Sequence, residues 1–79
     1  MKWIERQRAE FILDRLSEHG IVRRGDLEEH FGVSLATASK AFTWFQGEFP
    51  GAMRYDLGLK AYVAGPQLPL YRPEPSTFE

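Results

Sequence analysis

The stretch from Gly25 to Ala64 reads GDLEEHFGVSLATASKAFTWFQGEFPGAMRYDLGLKAYVA and decides the fold. Leu27 and Phe31, four residues apart, give its opening segment a single apolar helical face. The tripeptide Gly32-Val33-Ser34 interrupts this pattern, and Ser34 is a suitable N-cap for a further helix. That second helix is predicted to run from Leu35 to about Glu48 and to stop at Pro50-Gly51. The stretch therefore begins with two helices joined by a short turn.

Short β-forming segments follow these helices. Met53-Arg54-Tyr55 and residues 60–63 flank Asp56-Leu57-Gly58-Leu59, which predicts a hairpin whose turn has a positive φ at Gly58. Upstream, apolar residues recur at helical spacing over residues 3–18, and Ile21-Val22-Arg23 is typical of a short strand that pairs with the hairpin. Together these elements predict a mainly α fold with a small β wing, which is a winged helix-turn-helix of three helices plus a β-hairpin.

The composition limits the chain to one domain and excludes several kinds of site. Its 79 residues include no cysteine, so disulfides, thiolate metal ligands and cysteine nucleophiles are excluded. The 2 histidines are too few for a protein metal cage, and no cofactor is expected. No apolar run reaches the length of a membrane span, and the N-terminus lacks a signal-peptide pattern. We therefore expect a cytoplasmic protein without membrane contact.

The composition changes after residue 64. Residues 65–79 are rich in proline and show no hydrophobic periodicity. We therefore expect a DNA-binding domain over residues 1–64 and a proline-rich linker or arm over residues 65–79. This arm has no closing element, so we expect a longer parent chain, and an effector ligand would require a further C-terminal domain.

The helix that begins at Leu35 has two different faces. Leu35, Ala38, Phe42 and Phe45 recur at helical spacing and are expected to face the core. The opposite face is small, polar and basic, and it consists of Ala36, Thr37, Ser39, Lys40 and Thr43. Side chains of this kind let a helix approach base edges, because methyl groups contact thymine and lysine reaches guanine or phosphate.

Basic residues outside this helix are candidates for phosphate contact. Arg23 and Arg24 precede the helix that begins near Gly25, and Arg54 and Lys60 lie in the hairpin. In a winged helix, these are the places where the protein crosses the DNA backbone. The full set of candidate DNA-binding residues is Arg23, Arg24, Ser34, Ala36, Thr37, Ser39, Lys40, Thr43, Arg54 and Lys60. This set predicts a protein that binds double-stranded DNA.

The charge balance leaves an alternative open. The formal net charge is -1 and the pI is about 6.1, whereas DNA-binding domains are often clearly basic. Because phosphate neutralisation supplies most non-specific affinity, we expect weak binding by one copy and a homodimer as the binding form. The small polar face also fits a solvated surface, and the whole fold also fits a module that binds another protein without DNA. No catalytic constellation is present, so an enzyme is not expected.

Three short patterns resemble a known family. In the helix-turn-helix, Leu27, Phe31 and Gly32-Val33-Ser34 follow the pattern L-x-x-x-F-G-[VI]-S, and an Ala38-Ser39 pair follows in the next helix. In the wing, the pattern Pro-Gly-x-x-x-Tyr-Asp and then Lys-x-Tyr-Val is matched at Pro50, Gly51, Tyr55, Asp56, Lys60, Tyr62 and Val63. Over residues 8–64 the chain resembles the N-terminal winged-helix domain of bacterial WYL-domain transcriptional regulators, nearest to those associated with phage-defence loci.

The resemblance implies a sequence-specific regulator of transcription. Such proteins are generally dimeric repressors, in which a linker joins the winged helix to a WYL ligand-sensing domain. The chain is similar more loosely to the DeoR-type helix-turn-helix, whose recognition helix has two arginines. Ser39 and Lys40 occupy those places here, so the arginine contacts of that type do not transfer.

Overall fold

Four helices and one three-stranded antiparallel sheet form the structure, a computed structural model that describes residues 2–72. The elements in chain order are α1 (Trp3–His19), β1 (Ile21–Val22), α2 (Arg24–Phe31), α3 (Leu35–Glu48), β2 (Met53–Asp56), β3 (Ala61–Ala64) and α4 (Leu68–Tyr71). The domain is mostly helical and has a small sheet as its wing. The predicted fold class, a winged helix-turn-helix, is therefore confirmed.

The bounds of the helices follow from their caps. Gly20 adopts the left-handed conformation (φ 75°) that closes α1, and Gly32 (φ 66°) closes α2 in the same way. At the start of α2 the backbone N–H of Arg23 donates to Asp26 Oδ2 at 2.8 Å. Asp26 therefore lies in the first turn, where its charge also favours the helix dipole. The turn between Gly32 and Leu35 is short, so α2 and α3 pack directly on each other.

The sheet places the hairpin next to the strand that follows α1. Its order is β1-β3-β2, with Ile21 opposite Val63 and Arg54 opposite the same residue on the other side. The prediction of a strand pairing at Ile21-Val22 is therefore confirmed. The predicted positive φ at Gly58 is wrong, because the left-handed residue is Lys60 (φ 54°), at the end of the turn. Asp56 Oδ1 closes that turn by accepting a hydrogen bond from the N–H of Leu59 at 2.9 Å.

A single apolar core lies between α1, α3 and the sheet. Its buried side chains are Ala9, Ile12, Leu13, Leu16, Val22, Leu27, Ala38, Ala41, Phe42, Phe45, Ala52, Met53, Ala61 and Leu68. Phe42 stacks on Tyr62 of β3 with ring centroids 4.4 Å apart, which joins α3 to the wing. Leu35 was expected in the core but is 50% exposed. Leu35 lies on the same face as Phe42, seven residues away, but it is the first residue of α3 and therefore lies at the end of the buried face.

The segment after β3 packs against the domain. Residues 65–79 were expected to form a linker or arm, but α4 lies within them and Leu68 is buried in the core. Pro69 is compatible with this helix because it lies in the first turn, where no intrahelical N–H is needed. Residues 73–79, on which the rest of that expectation falls, lie outside the described residues.

Two side chains at the end of α4 hold this segment in place. The Tyr71 hydroxyl donates to the carbonyl oxygen of Pro50 at 2.9 Å, and its ring packs at right angles on Phe49, 5.2 Å away. Arg72 forms an ion pair with Asp14 of α1. The segment therefore contacts both α1 and the C-terminal end of α3.

Candidate nucleic-acid interface

The exposed face of α3 is built from small residues and one lysine. Ala36, Lys40, Thr43 and Gly47 follow one another at helical spacings of four, three and four, opposite the buried side chains of the same helix. We call these four residues the outward face of α3. All four are exposed, so no other segment within residues 2–72 covers this surface. The predicted residues Ala36, Lys40 and Thr43 therefore share one surface.

Gly47 is the member of the outward face that the sequence pattern did not single out. Its backbone is helical, and a Cβ atom placed on it would meet nothing within 4 Å. Glycine costs about 0.5–1 kcal/mol relative to alanine in a helix interior, and packing within this domain does not require it here. The signal that could have found Gly47 is its spacing of seven residues from Lys40.

Ser34 and Thr37 lie together at the N-terminal end of α3. The Thr37 N–H donates to Ser34 Oγ at 3.2 Å, and the Ser34 hydroxyl donates to Thr37 Oγ1 at 3.1 Å. Ser34 therefore acts as the N-cap of the helix, as its position predicts. Thr37 is only half exposed, because it lies at the edge of the outward face that is turned towards α1.

Ser39 lies at the other edge of α3, where α2 supplies a cation. Arg24 Nη1 is 3.5 Å from Ser39 Oγ, so the first residue of α2 reaches across to the exposed helix. Thr43 belongs to the same local network, since its hydroxyl donates to the Ser39 carbonyl oxygen at 3.2 Å. This bond restricts the Thr43 side chain, whose methyl group and remaining acceptor capacity stay available to a ligand.

The five predicted basic residues share one electrostatic property. Arg23, Arg24, Lys40, Arg54 and Lys60 are all exposed. Within residues 2–72 none of these five has a carboxylate within 4.0 Å, whereas Arg15 and Arg72 are paired with Asp26 and Asp14. Each of these two ion pairs uses one arginine and one carboxylate, so they leave the formal net charge of -1 unchanged. The five predicted cations keep their charge available for phosphate.

The wing contributes two of these cations at separate places. Arg54 lies in β2, and Lys60 lies at the end of the hairpin turn. Among the described residues, neither side chain forms a hydrogen bond or ion pair with α3. The structure therefore brings together Arg24 with Ser39 and Ser34 with Thr37, whereas Arg23, Arg54 and Lys60 stand apart from them.

The helices α2 and α3 form a helix-turn-helix in which the outward face of α3 is exposed. The hairpin of β2 and β3 follows it and pairs with β1, so the fold is a winged helix-turn-helix domain. Residues 5–77 match the family described as the BrxR transcriptional regulator winged helix-turn-helix domain, and the chain belongs to this family. It is a family of transcriptional regulators. No curated protein matches the chain. Over residues 2–72, no helix is long and apolar enough to cross a membrane.

Proposed function

We propose that this domain binds double-stranded DNA in a sequence-specific manner and acts as a repressor of transcription. In this proposal α3, over residues 35–48, enters the major groove, and the wing over residues 53–63 lies on the backbone or in the minor groove. The observation that carries the proposal is the outward face of α3, which is exposed, small and basic, with an uncompensated Arg24 beside it. Small side chains matter because they let the helix axis come close to the base edges.

The side chains on the DNA-facing side of α3 have separate roles in this proposal. The methyl groups of Ala36 and Thr43 contact thymine methyl groups, and Lys40 binds guanine acceptors or a phosphate oxygen. Ser39 hydrogen-bonds a base edge or orients Arg24, whose guanidinium then binds a phosphate. Phosphate contacts of this kind fix the register of the helix on the duplex, and the base contacts supply the sequence preference.

We further propose that two copies bind together on an inverted repeat. The five predicted cations of one domain give only a modest electrostatic affinity, and a dimer doubles their number. A two-fold dimer would read two half-sites about one helical turn apart. The resemblance to WYL-domain and DeoR-like regulators supports both the dimer and the repressor role, in which occupancy of the operator blocks transcription. Binding to chromosomal DNA also requires the cytoplasm as the compartment.

Fluorescence anisotropy with labelled duplex DNA tests this function. We expect binding to random duplex whose affinity falls steeply with salt, and tighter binding to a site selected by the protein from a random library. If a confirmed dimer does not bind DNA at about 50 µM, a concentration well inside the usual non-specific range, the proposal is wrong and the fold serves protein–protein contact instead.

A double variant tests the readout within α3. Ser39→Ala combined with Thr43→Ala should remove most discrimination between the selected site and a scrambled duplex, while the salt-dependent binding to random DNA remains. The matched control is Ser17→Ala, which removes an exposed hydroxyl from α1. Discrimination that stays at the wild-type ratio in the double variant would contradict the assignment of α3 as the reading helix.

A further inference from the structure

A groove between α1 and α3 contains a cation that the sequence pattern did not single out. Glu5 and Arg8 line it from α1, and Thr37, Lys40, Ala41 and Trp44 line it from α3. Its volume is about 230 Å³, which is large enough for a phosphate group and open to solvent on one side. We call it the α1–α3 groove, and we propose that it binds one phosphate of the DNA backbone, with Arg8 as the principal donor. This inference rests on the proposed DNA binding and adds α1 to the contact surface.

Arg8 is the only lining residue with an unused buried donor. Its Nε atom is buried and has no hydrogen-bond partner within residues 2–72. The guanidinium also has no carboxylate within 4.0 Å in that range, in contrast to Arg15 on the same side of α1. The Nε atoms of Arg15 and Arg72 are also buried without a partner, so what distinguishes Arg8 from these two arginines is that it has no carboxylate beside it. A phosphate can supply the missing anion, because the guanidinium fork binds two oxygens at once.

The charges around the groove favour an anion. Lys40 lies at its rim and is exposed, so two cations without a carboxylate partner among residues 2–72 face the same space. Glu5 is the one acidic residue of the lining, and its Oε1 accepts the backbone N–H of Lys2 at 3.1 Å, at the start of α1. The lining therefore has two cations against one carboxylate, which leaves an excess of positive charge. Thr37 and Trp44 line the groove from the α3 side.

The position of the groove matches the geometry of a duplex seated on α3. Thr37 and Trp44, seven residues apart, form the edge of α3 next to Arg8, and Ser39 forms the opposite edge next to Arg24. A helix in the major groove, which is about 12 Å wide, has one DNA strand on each side. Arg24 and Arg8 therefore lie where the two sugar-phosphate backbones would pass. The two arginines bracket the reading helix, one from α2 and the other from α1.

The salt dependence of DNA binding by the Arg8→Gln variant tests the proposal. Loss of one phosphate contact lowers the slope of log K against log[salt] by about 0.9 per protomer, which is about 3.5-fold in affinity between 0.2 M and 0.05 M salt. The matched control is Arg6→Gln, which removes the same charge from an exposed position on the other side of α1. We expect Arg6→Gln to keep the wild-type slope and Arg8→Lys, which keeps the charge, to keep most of it.

A fluorescence measurement keeps Arg8 intact and reports on the same groove. Trp3→Phe leaves Trp44 as the remaining tryptophan, and Trp3 is 72% exposed, so this change should not disturb the core. Saturation with duplex DNA should lower the quenching of Trp44 by iodide, because a phosphate then fills the groove.

The outcomes separate the groove from the proposed function. Wild-type protein that shows no salt-dependent binding would overturn the proposed function itself. The wild-type protein can instead show a steep slope of log K against log[salt]. If Arg8→Gln then has the same slope, the phosphate contact in the α1–α3 groove is overturned and the proposed function stands. If Arg8→Gln does not fold, the Trp44 measurement decides instead. Unchanged iodide quenching in the saturated complex would then show the groove to be empty.

Discussion

Replacement of Gly47 by alanine tests whether α3 is built for stability or for contact. The position is helical and exposed, and the added methyl group would meet nothing within 4 Å in this domain. The substitution should therefore raise the free energy of unfolding by about 0.5–1 kcal/mol, because alanine loses less backbone entropy in a helix than glycine does. In a domain of this size the gain corresponds to a rise in Tm of about 2–8 °C.

Gly65 provides the opposite case in the same chain. A Cβ atom there would collide with the carbonyl oxygen of Gly51 and lie 3.0 Å from the backbone nitrogen of Met53. It would also disturb the hydrogen bond from the Gly65 N–H to the Ala52 carbonyl oxygen, now 2.8 Å long. We expect Gly65→Ala to lower the free energy of unfolding by about 1–3 kcal/mol, the usual cost of overpacking.

Urea denaturation and thermal melts of the two variants, followed by circular dichroism, measure these stability changes. The same proteins should then be titrated with duplex DNA. If α3 lies in the major groove, Gly47→Ala should weaken DNA binding although it stabilises the fold, because its methyl group stands on the outward face. A Gly47→Ala protein that melts at or below the wild-type temperature would refute the reasoning about stability. Unchanged DNA affinity would refute the close approach at this position.

Three further substitutions test the cap, the packed segment and the wing. Ser34→Ala removes the hydroxyl that accepts the Thr37 N–H and should cost about 1 kcal/mol in urea denaturation; no loss would contradict the role as N-cap. Leu68→Ala should cost about 2–3 kcal/mol because the side chain is buried, whereas a residue in a free arm would cost almost nothing. Lys60→Gly should relieve the positive φ and gain about 1 kcal/mol in a thermal melt, while the salt slope of DNA binding falls by about 0.9 per protomer; an unchanged slope would remove Lys60 from the phosphate contacts.

The sequence predicted the elements that carry strong local signals. The bounds of α3 from Leu35 to Glu48 are as predicted, because Ser34 caps one end and Pro50 blocks the other. The break at Gly32 was equally clear, and the left-handed conformation of this glycine ends α2 there. The family match agrees with the predicted class of regulator domain. These features depend on neighbours in the chain, which a single sequence displays directly.

Features that depend on distant contacts could not be predicted in the same way. The helix α4 has only four residues, too few for a detectable periodicity. Its position depends on hydrogen bonds to a distant part of the chain, from the Gln67 N–H to the Gly51 carbonyl oxygen and from the Tyr71 hydroxyl to that of Pro50. The contact of Arg24 with Ser39 joins residues fifteen positions apart and required the packing of α2 on α3. Arg8 was missed for the same reason, because its groove exists only where α1 passes α3. In the wing, Gly58 was the obvious residue for a positive φ, yet the positive φ is at Lys60, directly after the Leu59 N–H that donates to Asp56 Oδ1.

The attachment of α4 has a mechanical consequence. The Tyr71 hydroxyl donates a hydrogen bond to the carbonyl oxygen of Pro50, just after α3, and Arg72 forms an ion pair with Asp14 of α1. A pull on the polypeptide beyond Arg72 is therefore applied at two anchor points rather than at β3. The force would act on the C-terminal end of α3 and on α1, the two helices that line the α1–α3 groove. In the proposed DNA complex, a displacement of these helices would change the orientation of the outward face relative to the duplex.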